Sequence, residues 1–217
     1  MKKWKFNVKP YLEKWLKNSS PLFQDWFRKE DRYIQKTIKN NTVLLDVGCG
    51  FGRHLNIVAG IAKEAVGIDA DRSVLNVAKK RLSKYKNIEL FLENAQKMHF
   101  KNNSFDYVIC MGNTFGGMVF IENKALEEMK RVAKKNGKII ISVFSENALK
   151  ERIKNLKTAG FKMLKIKDNK IFTGGGMGTE QFSKKELKNI FNKAGLKVKI
   201  QELNPISYIC IATKNKK

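Results

Sequence analysis

Residues 43–52, Val-Leu-Leu-Asp-Val-Gly-Cys-Gly-Phe-Gly, restrict this chain more than any other stretch, because an apolar run leads directly into three glycines spaced two apart. A strand that is apolar on both faces belongs in the middle of a parallel sheet with helices covering both sides. Only Asp46 interrupts the run. Gly48, Gly50 and Gly52 then remove the Cβ atoms that keep a ligand away from the backbone, and they allow a tight turn into a following helix. That is the pattern of a nucleotide-type cofactor loop.

A dinucleotide fold shows G-x-G-x-x-G, so that a helix N-terminus can receive a pyrophosphate. Here the third glycine comes one residue early, and Arg53 stands where that pattern has glycine. The next apolar run, Ala65-Val66-Gly67-Ile68-Asp69, ends in a carboxylate about 20 residues after the glycines, the distance at which a βαβ unit brings an acid to a ribose. Asp69 is therefore expected to accept hydrogen bonds from both ribose hydroxyls.

Asp-Val-Gly-Cys-Gly-x-Gly followed by Gly-Ile-Asp resembles class I S-adenosylmethionine-dependent methyltransferases, and the likeness continues from about residue 42 to 144. It is nearest to the small-molecule, methyltransferase type 11/25-like branch. The resemblance implies a three-layer, doubly wound α/β fold with a seven-stranded sheet of order 3-2-1-4-5-7-6, the last strand antiparallel, and an N-terminal helical lid. It implies S-adenosylmethionine as cofactor and S-adenosylhomocysteine as product. By the same likeness Asp46, Gly48, Cys49, Gly50 and Gly52 form one wall of the cofactor site, and Asp69, Ala70 and Asp71 stand at the ribose. Asn94 and Ala95 lie at the adenine, with Asn94 in a position where the family commonly has Asp, and Met111 follows the fourth strand. The segment Leu126 to Phe144 resembles the family's next helix, turn and fifth strand, with Gly137 closing the helix.

Residues 1–40 are expected to form the helical lid and residues 41–217 the Rossmann-like domain, with a cleft-side insertion at about 145–182. The first 40 residues carry Trp4, Phe6, Tyr11, Trp15, Phe23, Trp26, Phe27 and Tyr33 in a lysine-rich context. Tyr11 and Trp15, four apart, share a helix face and are candidates for a substrate wall, whereas Trp26 and Phe27 suit a stripe pinned to the core. In the insertion, Asn147 to Lys157 reads as an extra helix, and Phe161 to Thr173 alternates apolar and basic residues as a solvent-facing hairpin does. Gly174-Gly175-Gly176-Met177-Gly178 is either a flap over the site or a plain linker. Ser183-Lys184-Lys185-Glu186 forms a capping box for a helix that ends at Gly195. Two strands, Lys197 to Glu202 and Ser207 to Thr213, complete the sheet edge.

Methyl transfer from a sulfonium needs little covalent help from a protein, so the absence of a nucleophile or triad is expected. The loop Gly112-Asn113-Thr114-Phe115-Gly116-Gly117 lacks the Asn/Asp-Pro-Pro-Tyr/Phe motif of enzymes that methylate exocyclic base or glutamine amines. It is similar to the Gly-Asn-Ser/Thr-Phe loop of small-molecule N-methyltransferases. Asn113 is the candidate for hydrogen bonding to acceptor or cofactor, or for capping the turn alone, and Phe115 for packing nearby. His54, in the first turn after the glycines, could face a carboxylate of the cofactor; His99 is expected at the surface. Cys49, Cys110 and Cys210 have no metal-ligand spacing and read as small buried hydrophobes, and no metal site is expected.

The formal charge of +24 raises a second reading, a methyltransferase acting on RNA (tRNA or rRNA) or protein through a basic surface. Only seven of the 44 basic residues are arginine, however, and bidentate phosphate recognition favours arginine. A small-molecule acceptor is therefore the expected partner, with nucleic acid the alternative. No apolar run reaches membrane-span length and no secretory signal is visible, so a soluble cytoplasmic monomer or homodimer is expected.

Overall fold

The computed structural model describes residues 19–161, 164–173 and 178–215. In chain order the first half runs α1 (Pro21–Thr37), β1 (Val43–Val47), α2 (Arg53–Val58), β2 (Glu64–Asp69), α3 (Arg72–Leu82), β3 (Ile88–Leu92) and β4 (Phe105–Cys110). There follow α4 (Thr114–Gly117), α5 (Glu122–Val132), β5 (Ala133–Phe144), a 3₁₀ turn (Glu146–Ala148) and α6 (Leu149–Thr158). The remainder is β6 (Leu164–Lys167), β7 (Lys170–Thr173), β8 (Gly178–Glu180), α7 (Lys184–Lys193), β9 (Leu196–Asn204) and β10 (Ser207–Lys214).

Seven strands make one sheet of order β3-β2-β1-β4-β5-β10-β9, the order expected for a doubly wound fold. The first five are mutually parallel, and β10 runs antiparallel to both β5 and β9. In β1, Leu44, Leu45, Asp46 and Val47 are all buried, because helices cover both faces. One apolar layer gathers Leu45, Val108 and Ile141 with α5 and α7; the other gathers Leu44, Ile109 and Ile140 with α1, α2 and α3.

Both ends of α7 follow the sequence reading. Ser183 and Glu186 form the reciprocal capping box, and Gly195 adopts a φ of +66° just beyond the helix. Gly137 does not close α5, which ends five residues earlier at Val132. It lies inside β5 at a register irregularity, where an added Cβ would stand 2.9 Å from the Phe105 carbonyl oxygen. Close backbone approach, rather than a helix end, requires glycine there.

The insertion also differs from a simple hairpin: β6, β7 and β8 form a separate three-stranded antiparallel sheet. Its third strand enters the site described below. Residues 174–177 of the glycine-rich run lie outside the described residues, as do Tyr11 and Trp15. Among the described residues no helix is long and apolar enough to cross a membrane.

Candidate cofactor and acceptor site

The carboxyl ends of β1, β2 and β4 meet at the glycine loop. The backbone N–H groups of Gly48 and Cys49 both donate to the Ile68 carbonyl, at 2.8 and 2.9 Å, which ties the loop to the end of β2. Gly48, Gly50 and Gly52 all have positive φ, a region costly for other residues. Their surroundings differ. A Cβ on Gly48 would lie 2.1 Å from the Thr114 methyl, and one on Gly52 2.5 Å from Leu82, so protein packing fills both positions. A Cβ on Gly50 would meet nothing within 4 Å, so this glycine faces open space.

Asp69 closes the shelf beside that space. Its Oδ2 accepts from the Gly50 N–H at 2.9 Å and its Oδ1 from the Asp71 N–H at 2.8 Å, so it sets both turns and keeps lone pairs for a ligand. Burial pushes its carboxyl up, and the N–H groups of Asp71 and Gly50 counteract this. Asp71 caps α3 by accepting from the Ser73 N–H, and Ala70 is exposed between the two acids.

Asp46 is only 1% exposed, and its Oδ2 has no hydrogen-bond partner. Burial lifts its carboxyl to about 6, against the pull of His54 and Arg53. A buried acceptor left open is costly in a finished core, and it suits a ligand that brings a donor. The open face of Gly50, the spare lone pairs of Asp69 and the unpartnered oxygen of Asp46 thus fit an amino- and ribose-bearing cofactor. Further along, Asn94 Oδ1 accepts from the Gln96 N–H at 2.9 Å, an Asx-type turn that presents the residue beside buried Ala95. Cys49 and Met111 are buried in the layer beneath the loop.

The loop after β4 corrects two expectations. Asn113 is 5% exposed with a φ of +59°, and its amide is committed within the protein. Nδ2 donates to Thr179 Oγ1 and Oδ1 accepts from the Phe144 N–H, both at 3.0 Å, so the side chain ties the ends of β4, β5 and β8 together. Phe115 is fully buried, because the turn of α4 directs it beneath the sheet ends toward Phe182, 6.0 Å away between ring centroids. It packs in the core and lines no open surface.

One cluster goes beyond the sequence expectations. Glu30 of α1 is completely buried, and its carboxylate pairs with Arg53, accepts from the Ser142 hydroxyl, and accepts from the Gly112 N–H at 3.0 Å. Burial alone would raise this carboxyl; Arg53, His54 and Ser142 outweigh it and hold it at about 2. Arg53 also donates to Asp31 at 2.7 Å and lies over the Phe27 ring. His54 turns toward these acids, with Nε2 3.7 Å from both Glu30 and Asp31, rather than toward the open shelf. The cluster fastens α1 across the first helix after the glycines. A signal for it existed: Trp26, Glu30 and Ile34 fall four apart on the buried stripe of α1, so an acid sits where an apolar residue is expected.

His99 is exposed and 3.0 Å from Glu93, and all three cysteines are buried, with burial pushing each thiol up. Among the described residues no His, Cys, Asp and Glu group could hold a metal. A surface depression of about 490 Å³ lies at the opposite end of the sheet, between Asn41, Asp106 and Lys134–Lys138. Its acid is already satisfied, since Asp106 accepts from the Val43 N–H and pairs with Lys134 at 2.9 Å. The glycine shelf, with its unmet acceptor, is the better candidate.

A sheet of this order, with a glycine shelf after β1 and a carboxylate at the end of β2, defines a Rossmann-like cofactor-binding protein. The chain belongs to the methyltransferase domain family, which matches residues 38–195. It is 34% identical over 164 residues to the uncharacterized protein MJ1252 of Methanocaldococcus jannaschii, covering 74% of this chain and 61% of that protein. The chain thus spans about three fifths of that relative's length. Demethylmenaquinone methyltransferase of Staphylococcus aureus is 30% identical over 172 residues, 73% of this chain and 69% of the enzyme. Among solved structures, a SAM-dependent methyltransferase from Aquifex aeolicus superposes with a TM-score of 0.67 at 21% identity, covering 96% of this chain and 98% of that one.

Proposed function

We propose that this protein is an S-adenosylmethionine-dependent methyltransferase that transfers a methyl group to nitrogen or oxygen of a small-molecule acceptor by direct in-line displacement. The observation that carries the reading is the buried, unpartnered Asp46 oxygen at the end of β1, just before the loop in which Gly50 faces open space, within a methyltransferase family frame. When bound, S-adenosylmethionine supplies the activated methyl on a sulfonium and leaves as S-adenosylhomocysteine. Asp46 then accepts a hydrogen bond from the amino acid end, the lone pairs that Asp69 keeps face the ribose, and Asn94 and Ala95 border the adenine. Asn113 positions the loop after β4 and touches no reacting atom. His54 faces two carboxylates and His99 lies at the surface, so neither is assigned as a base. Orientation and exclusion of water are the protein's contribution.

The small-molecule reading draws support from the named activity of the Staphylococcus aureus relative. Calorimetry with S-adenosylmethionine and S-adenosylhomocysteine, with Asp69→Ala as control, tests the cofactor. Retention of bulk tRNA at rising salt tests the RNA alternative, since phosphate contacts weaken as salt rises. Binding abolished by the substitution, with no tRNA retention at moderate salt, is expected. Absence of cofactor binding in the unsubstituted protein overturns the reading.

A further inference from the structure

Charge is segregated along the strands of the large sheet. The carboxyl ends carry Asp46, Asp69 and Asp71 around the glycine shelf, whereas the amino ends of β4 and β5 gather cations. The depression of about 490 Å³ between Asn41, Asp106 and Lys134–Lys138 has three lysines and one acid in its lining. A second depression, of about 260 Å³ between Asn102, Asn103, Glu127, Lys130, Arg131 and Lys214, repeats that ratio, three cations to one acid. The two adjoin: Lys214 Nζ, from the second, donates to the Ala133 carbonyl, one residue before Lys134 of the first.

Part of this charge is met within the protein. Asp106 takes Lys134 at 2.9 Å, Glu128 takes Arg131 at 2.7 Å, and Lys130 is 3.7 Å from Glu127. The rest has no acid. Lys135 and Lys138 are exposed and form no ion pair among the described residues. Lys214 donates to Asn103 Oδ1 at 2.9 Å and to the Ala133 carbonyl, both uncharged, and burial together with neighbouring Lys130 pushes its ammonium down. Like charges crowded at one place repel until an anion arrives from outside.

The surroundings narrow the partner. A single-stranded nucleic acid calls for rings on which bases stack, and a lipid surface for apolar side chains that enter it. Among the described residues the exposed large apolar side chains are Leu22, Leu92, Phe120 and Ile166. Leu92 ends β3, Phe120 follows α4, Leu22 lies in the first turn of α1 and Ile166 belongs to the small sheet, so none of them lines either depression. Tyr107, the aromatic of the larger depression, turns its hydroxyl to the Thr37 carbonyl at 3.3 Å. Free arginine forks, which favour phosphate, are also wanting, since Arg131 is occupied by Glu128 and by the Met98 and Phe100 carbonyls. Lysine ammonium groups beside asparagine amides on concave ground suit the carboxylates of an acidic chain.

We propose that the amino ends of β4 and β5 form a docking surface for an acidic segment of a partner protein, with Lys135, Lys138 and Lys214 as its unpaired contacts. The surface lies at the opposite end of the sheet from the glycine shelf, so a docked partner leaves the cofactor site open, and the proposal stands apart from the methyltransferase reading.

Binding of fluorescein-labelled poly-L-glutamate to the full chain is measured by anisotropy at rising salt. Two charge-reversed pairs are compared, Lys135→Glu with Lys138→Glu at the surface and Lys154→Glu with Lys157→Glu at exposed positions of α6, so that net charge changes equally. At about 0.1 M salt the first pair is expected to weaken binding about 10-fold and the second less than about twofold. Thermal unfolding checks that each variant folds; Lys135→Gln with Lys138→Gln, expected to weaken binding about threefold, decides where the reversed pair does not fold. Equal loss from both reversed pairs assigns the binding to overall charge and overturns the proposal, as does no binding by the unsubstituted protein. Bulk tRNA is the last probe: tRNA held at that salt at least as tightly as polyglutamate, and lost with Lys135→Glu and Lys138→Glu, makes the surface a nucleic-acid site and overturns the proposal as well. S-adenosylhomocysteine affinity is expected to be unchanged in both pairs, which separates this surface from the cofactor site.

Discussion

Two buried carboxylates serve the same end of the sheet in opposite ways. Glu30 has an arginine, a hydroxyl and a backbone N–H around it and is held at about 2, whereas Asp46, just as buried, keeps an unmatched oxygen and rises to about 6. The difference shows where this protein spends charge on holding itself together and where it keeps charge for something else. A fully partnered buried acid anchors; a buried acid left short of a donor is a place for a ligand.

The comparison is broken most severely at the anchor. Glu30→Gln removes the buried charge at the centre of this cluster, leaving Arg53 paired with Asp31 alone, and should cost about 3 kcal/mol in urea unfolding. Asp46→Asn should do the reverse, raising stability at pH 8 by up to about 3 kcal/mol while weakening S-adenosylhomocysteine binding at least tenfold by calorimetry. The same pair pulls the pH profile in opposite directions. Asp46 has a folded value above its ordinary 3.8, so its ionisation destabilises increasingly as pH rises from about 4 to 6, and fully above 6. Glu30 lies below its ordinary 4.5, so its contribution is present above that value and is lost as pH falls toward about 2. Urea unfolding from pH 8 to 3 should therefore show stability rising to a maximum near pH 4 to 5 and then falling, and Asp46→Asn should flatten the upper limb. Cofactor affinity should decline as pH drops through 6, opposite to stability.

Smaller effects separate the glycines. Gly52→Ala meets Leu82 as well as an adverse φ and should cost about 2 kcal/mol, while Gly50→Ala carries only the backbone penalty of about 1 kcal/mol. Cofactor affinity should suffer more from the second. Smallest of all, Phe120 is 80% exposed with a φ of +74°, and Phe120→Asn should gain about 0.5 kcal/mol after losing its ring contact with Phe172.

The shelf was legible because backbone conformation dictates it: three positive-φ turns need glycine, and an acid at the end of β2 follows from the length of a βαβ unit. The strand order followed from the family resemblance and agrees with the sheet. The anchor was far less legible, since Glu30 meets Gly112 and Ser142 across 82 and 112 residues, and local pattern showed only an odd acid on an apolar stripe. Asn113 and Phe115 were singled out by position, but position does not reveal which way a side chain turns at a tight loop. Residues 147–157 were legible only as an extra helix, and the burial of Arg152 within it was not, because that burial arises only when β8 folds over it.

The small sheet β6-β7-β8 meets the large one through few backbone links, among them the Phe182 N–H donating to the Phe144 carbonyl and the bridge between Ser145 and Phe182. Among the described residues β6 pairs only with β7, so residues of that outer hairpin can be replaced, lengthened or shortened without touching the glycine loop, whereas β8 is held by Thr179, which meets Asn113 and Arg152. Descendants of such a chain can change diet while keeping the same donor: one part of the molecule is free to drift, and the other is not.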